Sequence, residues 1–263
     1  MGLIGKVRAA VYRKWLSCRS LEQLEALLRR RRGVLGLCYH ALSEDLGSYP
    51  YRTSPEALDA QLTLLSRNFE VVSVEQGVAL LKTGAAAQRE RPSVMICFDD
   101  GYRCNWTQAT PVLERHNLPA TLFAARDLLR QPGLTYLSEE ELGTLARHSL
   151  WQVGGHGITH NVLPGLLPED QSYEISLSKA WLTDLLGHVP SGFAYPQGQV
   201  SPSVVQKTRA CFDYGLTTDR QTEAGFDLHQ IRRFCPMRDH DDLHCFAQAL
   251  VCAPMEGEQS GLT

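Results

Sequence analysis

The chain lacks any long apolar run. Its 263 residues contain no stretch that approaches the ~18–20 consecutive apolar positions of a membrane-spanning helix. The first 32 residues lack the unbroken apolar core and the small-residue cleavage site of an export signal, because arginines and Lys14 interrupt them throughout. The chain also has no Pro/Gly/Ser-rich linker and no internal repeat. A composition of 43% hydrophobic and 21% charged residues excludes a disordered or fibrous protein.

A compact Cys-x-x-Cys pair is missing as well. The chain has eight cysteines, and two of them, Cys38 and Cys97, fall in predicted core strands. Reduced thiols fit these positions better than a disulfide framework does. Together with the missing export signal, this usage predicts a cytoplasmic protein.

Charge is distributed unevenly along the chain. Residues 1–32 carry nine basic and two acidic residues, a charge of +7, so the net charge of −3 leaves −10 for the remainder. Apolar residues recur at helical spacing over residues 3–30, which predicts an N-terminal amphipathic basic helix, a separate arm of residues 1–32. Such an arm favours peripheral contact with the inner face of a membrane. The alternative is an ordinary helix packed on the body. Few aromatic residues interleave with the basic ones, so no nucleic-acid partner is expected.

Strand and helix patterns alternate along the rest of the chain. This alternation predicts an α/β fold: a single distorted (β/α) barrel of about seven or eight strands over residues 33–250, followed by a flexible tail at residues 251–263. Barrels of this kind keep their functional residues at the carboxyl ends of the strands. The polar residues described next follow predicted strands.

Two groups of potential ligands follow strand-like segments. Asp99 and Asp100 end the apolar run that begins at Val94, and two carboxylates at the mouth of an apolar core are costly unless they bind something positive. A simple Asp-Asp-Gly turn is the alternative. His156 and His160 lie four residues apart after a Gly-Gly pair, a spacing that lets both imidazoles reach one metal ion. Two histidines and one aspartate would leave a coordination position open for water or substrate.

The order of these motifs resembles a known family. F-D-D-G (98–101), H-G-I-T-H (156–160) and F-A-Y-P-Q-G (193–198) are similar to the motifs of the polysaccharide deacetylases of carbohydrate esterase family 4, the NodB-homology domain. The E-I-x-x-S-K segment from Glu174 also fits, and the resemblance extends from about Val34 to Phe234. It implies a metal-dependent N-deacetylase.

The resemblance also implies residue roles. Asp99 would be the catalytic base, and Asp100, His156 and His160 would hold a divalent metal, with zinc as the default and cobalt, nickel or iron also compatible with the ligand set. The metal would acidify a bound water and polarise the acetyl carbonyl, and Asp99 would take the proton.

The third motif would bind the substrate. By resemblance, the backbone N–H of Gln197 would stabilise the tetrahedral intermediate. Tyr195 and Pro196 would belong to the same substrate-binding group, with Tyr195 offering a surface on which the sugar stacks. The alternative is that Tyr195 is a core residue.

The acid that protonates the leaving amine is expected to be His40. Tyr39-His40 resembles the end of an N-terminal strand in a rearranged branch that includes deacetylases of poly-N-acetylglucosamine. His229 is the alternative acid. The arginine that many family members carry before Pro-Tyr is absent, and Arg233 is expected to supply its charge to Asp99. Gly157 replaces a common serine or threonine, which should loosen that loop.

The expected substrate is an N-acetylated sugar in a bacterial surface glycan, a glycolipid or a lipid-linked glycan precursor. Two alternatives remain open: an O-deacetylase that uses the same site, and a non-catalytic glycan-binding domain. Retention of Asp99, Asp100, His156, His160 and His40 argues against the second alternative.

Overall fold

The computed structural model describes residues 15–42, 49–131, 133, 135–218 and 226–257. The strands in these ranges are β1 (Val34–Tyr39), β2 (Glu70–Val72), β3 (Ser93–Asp100), β4 (Ala120–Ala124), β5 (Trp151–Gly155), β6 (Gly192–Ala194), β7 (Tyr214–Thr218) and β8 (Ile231–Phe234). The helices are α1 (Leu21–Arg30), α2 (Pro55–Asn68), α3 (Val74–Thr83), α4 (Thr110–His116), α5 (Arg126–Leu129), α6 (Glu139–Ala146), α7 (Pro168–Leu186), α8 (Pro202–Cys211) and α9 (Leu243–Cys252). No helix in these ranges has the length and apolarity needed to cross a bilayer.

Seven parallel strands close into a barrel. The order β1-β8-β7-β6-β5-β4-β3 is completed by pairing of β3 with β1. β1 pairs with Ser93–Phe98 along one edge of β3. On the other edge, β2 pairs with Ser93–Met95 and β4 pairs with Cys97–Asp100. β2 is therefore an eighth strand outside the closed ring. The predicted barrel of seven or eight parallel strands is confirmed.

Side chains of β3 alternate between two cores. Met95 and Cys97 point into the barrel, in one cluster with Phe123, Leu216 and Ile231 of other strands. Their neighbours along β3 pack outward under the helices in a larger cluster. Because successive side chains of a strand point to opposite faces, the inward row continues from Cys97 to Asp99. The strand thereby aims one carboxylate into the top of the barrel.

Several element boundaries follow directly from capping residues in the sequence. Ser138 and Glu141 form a capping box at the start of α6, as their spacing in the sequence predicts. α7 runs over Pro168–Leu186 and stops at Gly187, whose φ of 74° is left-handed. The apolar pattern over Cys211–Leu216 predicts a strand, but α8 continues through Cys211 and β7 begins only at Tyr214.

The expected basic arm does not form one helix separate from the body. Ser20 caps α1 at Leu21, so a break precedes this helix. Leu24 and Leu28 are fully buried, where α1 packs against α9 and α2. Residues 21–30 therefore belong to the body, as in the alternative interpretation. Residues 1–14 lie outside the described residues.

The expected flexible tail is wrong for residues 251–257. Residue 251 still lies in α9, and Glu256 exchanges two backbone hydrogen bonds with Val34 of β1. The Glu256 carboxylate also accepts from the Arg232 side chain at 2.6 Å. This segment is held against the amino end of β1. Residues 258–263 lie outside the described residues.

Candidate active site

Two buried carboxylates stand at the carboxyl end of β3. Asp99 continues the inward row of the strand, and Asp100 adopts a left-handed φ of 73° immediately before Gly101, which has φ 89°. The side chains are buried, with relative exposures of 3% for Asp99 and 5% for Asp100. A non-glycine residue at positive φ stores backbone strain that surrounding contacts must hold. The twist brings both carboxylates to the mouth of the barrel, as the sequence predicted.

The two predicted histidines meet Asp100. His156 follows β5, and its Nε2 lies 3.4 Å from Oδ1 of Asp100, while the Nε2 of His160 lies 3.1 Å from the same oxygen. Ligand atoms of all three residues lie within 4.8 Å of one another. The sequence-predicted ligand set is thus assembled by β3, β5 and the loop that follows β5.

The chemistry of these donors fits a divalent cation. The Nδ1–H of His156 donates to the carbonyl of Ala194 at 2.8 Å, so the Nε2 of the neutral ring is an acceptor. That acceptor faces Oδ1 of Asp100, a buried oxygen without a hydrogen-bond donor among the described residues. Two acceptors that face each other form a suitable position for a cation. Two imidazole nitrogens and one carboxylate oxygen match the three-ligand set of a catalytic zinc site.

The same residues have shifted pKa values. Burial alone would raise the pKa of Asp100, but its interactions with His156 and His160 outweigh burial and lower that pKa. Burial would lower the pKa of His156, but the charges of Asp99 and Asp100 raise it. The carboxylates therefore create a strongly cation-attracting position at the barrel mouth.

Glu174 of α7 holds the histidine loop. Its carboxylate accepts from the backbone N–H groups of Ile158 at 2.7 Å and Thr159 at 3.0 Å, and from the Thr159 hydroxyl at 2.6 Å. Gly157 has φ 82°, and a Cβ there would lie 3.1 Å from Oε2 of Glu174. A side chain at this position would therefore be strained. The expectation that Gly157 loosens the loop is wrong, because the loop is clamped.

Arg233 of β8 pairs with Asp99 as expected. Its two terminal nitrogens donate to Oδ1 and Oδ2 of Asp99 at 2.7 and 2.8 Å, and the side chain is fully buried. Burial would raise the pKa of Asp99, but Arg233 and His156 outweigh it and lower the pKa to about 2. Asp99 is therefore an ionised carboxylate held in one orientation. The effect of Arg233 on turnover stays a prediction.

Two residues near this pair were not singled out from the sequence as part of the site. Cys38 of β1 donates its S–H to Oδ2 of Asp99 at 3.1 Å. Gly36, two residues earlier on the same inward row, leaves room for Arg233: an added Cβ would lie 2.8 Å from Cγ of the arginine. Both contacts depend on the alternation of side chains along β1 and on the pairing of β1 with β8. A cysteine or a glycine in the sequence does not by itself indicate either contact.

His40 stands beside Asp99 at the end of β1. Ligand atoms of Cys38, His40 and Asp99 lie within 4.8 Å of one another. Burial lowers the pKa of His40, against the opposing charges of Asp100 and Asp99. Its Nδ1 is a buried atom without a hydrogen-bond partner in the part of the chain that the structure describes. The position fits the predicted acid.

His229, the alternative acid, is at the wrong end of the barrel. It precedes β8, whereas Asp99 and Asp100 end β3, and the barrel strands are parallel. Its Nε2–H donates to the carbonyl of Phe212, which precedes β7, at 3.0 Å. The histidine is therefore a core contact away from the carboxylates.

The role predicted for Tyr195 is also wrong. The ring is fully buried and packs in a cluster with Phe193, Val204 and Phe212, and its hydroxyl donates to the carbonyl of His229 at 2.9 Å. It offers no surface to a sugar. Pro196 is buried as well. Gln197 is exposed and adopts a left-handed φ of 56° in the turn after β6.

Another group of aromatic rings lies beside the site instead. The ring centroid of His40 is 5.3 Å from that of Tyr51 and 6.4 Å from that of Tyr49. Tyr49 is followed by Tyr102 at 6.2 Å, and Tyr102 stacks on Tyr136 at 4.9 Å. We call these four tyrosines the tyrosine wall. Sequence reasoning missed it, because its members come from three separate loops.

Comparison with known proteins agrees with the fold and the motifs. The sequence model of the polysaccharide deacetylase family matches residues 86–214. YxkH of Bacillus subtilis (strain 168), whose name places it among polysaccharide deacetylases, is 26% identical over 204 residues, covering 74% of this chain and 70% of that protein.

Two solved structures share the fold. The deacetylase PplD of Streptococcus pyogenes, solved in complex with acetate, superposes with a TM-score of 0.69 at 20% identity, covering 81% of this chain and 97% of its own. IcaB from Ammonifex degensii superposes with a TM-score of 0.70 at 23% identity, covering 82% and 97%. The family match, the parallel barrel and the ordered motifs agree. The chain belongs to the polysaccharide deacetylase family, hydrolases that act on the amide bonds of N-acetylated sugars.

Proposed function

We propose that the protein is a metal-dependent N-deacetylase that removes the acetyl group from an N-acetylated sugar of a bacterial glycan. The observation that carries the proposal is that two adjacent carboxylates, Asp99 and Asp100, contact different partners. Asp100 faces two histidine acceptors and is suited to a metal, whereas Asp99 is clamped by Arg233 and is suited to accept a proton. A metal-dependent hydrolase uses both functions within one site.

The metal would be held by Asp100, His156 and His160. When bound, a divalent cation such as Zn²⁺ would lower the pKa of water and polarise the acetyl carbonyl. The carbonyl of Ala194 keeps His156 in the tautomer that presents Nε2 to the cation, and Glu174 holds the loop that carries His160. Such supporting contacts orient the ligands of a metal site.

Asp99 would accept the proton of the attacking water. Its low pKa keeps it ionised across the physiological range, and the bidentate contact with Arg233 fixes the direction of its lone pairs. Asp99 is consequently a positioned but weak base, whose efficiency comes from orientation more than from basicity.

His40 would protonate the departing amine. It is near Asp99, and its free Nδ1 marks an unsatisfied hydrogen-bonding position that a substrate group can fill. The lowered pKa makes its protonated form a stronger acid than a free imidazolium. The backbone N–H of Gln197, in the turn after β6, would stabilise the oxyanion.

The tyrosine wall supports a sugar as substrate. Aromatic rings combine an apolar face with a polar edge, and they can pack on the apolar face of a pyranose ring while their hydroxyls reach its substituents. Tyr49 and Tyr51 are partly exposed beside His40, and Tyr136 is partly exposed at the other end of the wall. The wall would place the sugar next to the acid and the base.

The test is acetate release from chitooligosaccharides and poly-N-acetylglucosamine oligomers. Metal-stripped and zinc-reloaded protein are compared, with Asp99→Asn as the matched variant because it keeps the shape of the base. Metal-dependent release that Asp99→Asn abolishes is expected. Release only from O-acetylated sugars would replace the proposal by an O-deacetylase, and glycan binding without any release would replace it by a binding domain.

We further propose that the protein is cytoplasmic and works at the inner face of a membrane, on a lipid-linked precursor. The support is the basic charge of residues 1–19, since Arg29 and Arg31 are occupied by contacts with Asn68 and with carbonyls of the body. The expected result is co-sedimentation with anionic liposomes that weakens with salt. Absence of binding by the full chain would exclude the membrane contact.

A further inference from the structure

We infer that Cys38 and Cys235 are a redox-active thiol pair, which a hydroperoxide or a small disulfide converts into a reversible cross-link beside the catalytic base. The functional consequence of the cross-link rests on the proposed function; its formation does not. The pair lies where β1 and β8 run side by side at the carboxyl end of the barrel.

Strand register brings the two thiols together. Gly36 is paired with Arg233 and Leu37 with Phe234, so the next step pairs Cys38 with Cys235, directly after β8. Neighbouring strands are about 4.8 Å apart, within the range of about 4.4–6.8 Å between the Cα atoms of a disulfide. Both cysteines follow the inward row of their strand. Burial raises the pKa of the Cys38 thiol, and the neighbouring Cys235 raises it further.

The two thiols differ in access. Cys38 is fully buried and donates to Asp99, whereas Cys235 is partly exposed. An oxidant therefore reaches Cys235 first. Attack of its sulfur on a hydroperoxide breaks the O–O bond and yields a sulfenic acid and an alcohol, or water when the oxidant is hydrogen peroxide. The sulfur of Cys38 then displaces the hydroxyl group, which leaves as water with the Cys38 proton. With a small disulfide, the sulfur of Cys235 instead releases one thiol and forms a mixed disulfide, from which Cys38 displaces the second thiol.

The cross-link changes the surroundings of the base. It removes the S–H donor from Oδ2 of Asp99 and ties β1 to the residue two positions after Arg233. The orientation of the Asp99–Arg233 pair depends on these two strands. Oxidation is therefore expected to lower deacetylation and reduction to restore it.

Peptide mapping tests the pairing without reference to activity. Cleavage after lysine and arginine places Cys38 alone in residues 33–52 and Cys235 alone in residues 234–238, so a cross-link between them has one assignment. The purified full-length protein is treated with hydrogen peroxide or oxidised glutathione and alkylated before digestion. A linked 33–52/234–238 peptide that dithiothreitol dissolves is expected. Separate alkylated peptides, or Cys38 linked to Cys97, would overturn the pairing.

Measurement of acetate release tests the expected effect of the cross-link on deacetylation. Wild-type protein is expected to lose at least half of its acetate release after oxidation and to regain it with dithiothreitol, while Cys235→Ser resists the oxidant. Cys245→Ser, an exposed cysteine on α9, serves as the control and should stay as sensitive as the wild type. Equal oxidant sensitivity of Cys235→Ser and wild type would overturn the link to the base. A protein without any deacetylase activity would refute the proposed function and leave the mapping result intact.

Discussion

Replacement of Arg233 by methionine should move the acid limb of the activity profile to higher pH. The substitution removes the positive charge from Asp99 and keeps much of the apolar volume of the side chain. Asp99 is 3% exposed, and its pKa of about 2 depends on Arg233, since burial acts in the opposite direction. Without the guanidinium, the neutral carboxyl form is favoured, so the pKa must rise.

The size of the shift follows from the burial of the pair. Removing one partner of a buried ion pair costs about 3–5 kcal/mol. Since about 1.4 kcal/mol corresponds to one pKa unit, the pKa of Asp99 is expected to rise by about 2–4 units. It would then lie between about 4 and 6, so that ionisation at pH 7 is largely kept while activity at pH 5 falls by up to about tenfold.

The assay is kcat/KM for acetate release between about pH 4 and 8, because this quantity reports the ionisations of the free enzyme. Arg233→Lys is the matched control: it keeps the charge but not the bidentate fork, so its acid limb should move less. Metal content should be unchanged in both variants, because Arg233 contacts Asp99 and not the Asp100 ligand. An acid limb that stays in place in Arg233→Met, with the metal retained, would refute the reasoning.

Three further predictions concern the residues that support the site. His156→Ala leaves two of three ligands, so the purified protein should lose its bound metal by elemental analysis, and added zinc should not restore acetate release; retention of one metal per chain would contradict the ligand set. Glu174→Ala frees the histidine loop and should weaken metal affinity by about 10–100-fold in competition with a chelating dye; an unchanged affinity would show that the clamp is dispensable. Gly36→Ala introduces a Cβ at 2.8 Å from the Arg233 side chain, which should cost about 1–3 kcal/mol of unfolding free energy in denaturant titrations; unaltered stability would show that Arg233 can yield.

The cluster of carboxylates and histidines at the barrel mouth could be predicted because its signals are local. Asp99 and Asp100 end an apolar run, and His156 follows another strand-like segment; parallel strands gather such ends at one rim. The family resemblance added the order of the motifs. The pairing of Arg233 with Asp99 was expected only because a charge was missing from the third motif, and its geometry depends on the register of β1 against β8.

Tyr195 shows a signal that was present in the sequence but not used. Side chains two residues apart on a strand share a face, and Phe193 is a core residue of the helix-facing layer. That parity places Tyr195 in the same layer, away from the barrel mouth, while Ala194 points inward. The aromatic character of Tyr195 beside a functional motif suggested a sugar contact that the alternation of the strand excludes.

Other features depend on contacts between distant segments. The tyrosine wall joins residues from the loops near 50, 102 and 136, and Glu256 returns to the amino end of β1. Neither hydrophobic periodicity nor a capping residue predicts the tyrosine wall or the pairing of Glu256 with β1. The packing of α1 on α9 likewise makes residues 21–30 of the expected arm part of the body.

The hydrogen bond from His156 to the carbonyl of Ala194 has a consequence for mutational surveys of this family. The atom that sets the tautomer of His156 is the backbone carbonyl oxygen of residue 194, which is already alanine. Alanine scanning therefore cannot test this hydrogen bond, and most side-chain replacements at position 194 leave the carbonyl in place. In a deep mutational scan, the effects at position 194 would therefore reflect only the side-chain volume that the barrel tolerates. The role of its carbonyl in orienting His156 would be detected only where a neighbouring substitution tilts the peptide plane.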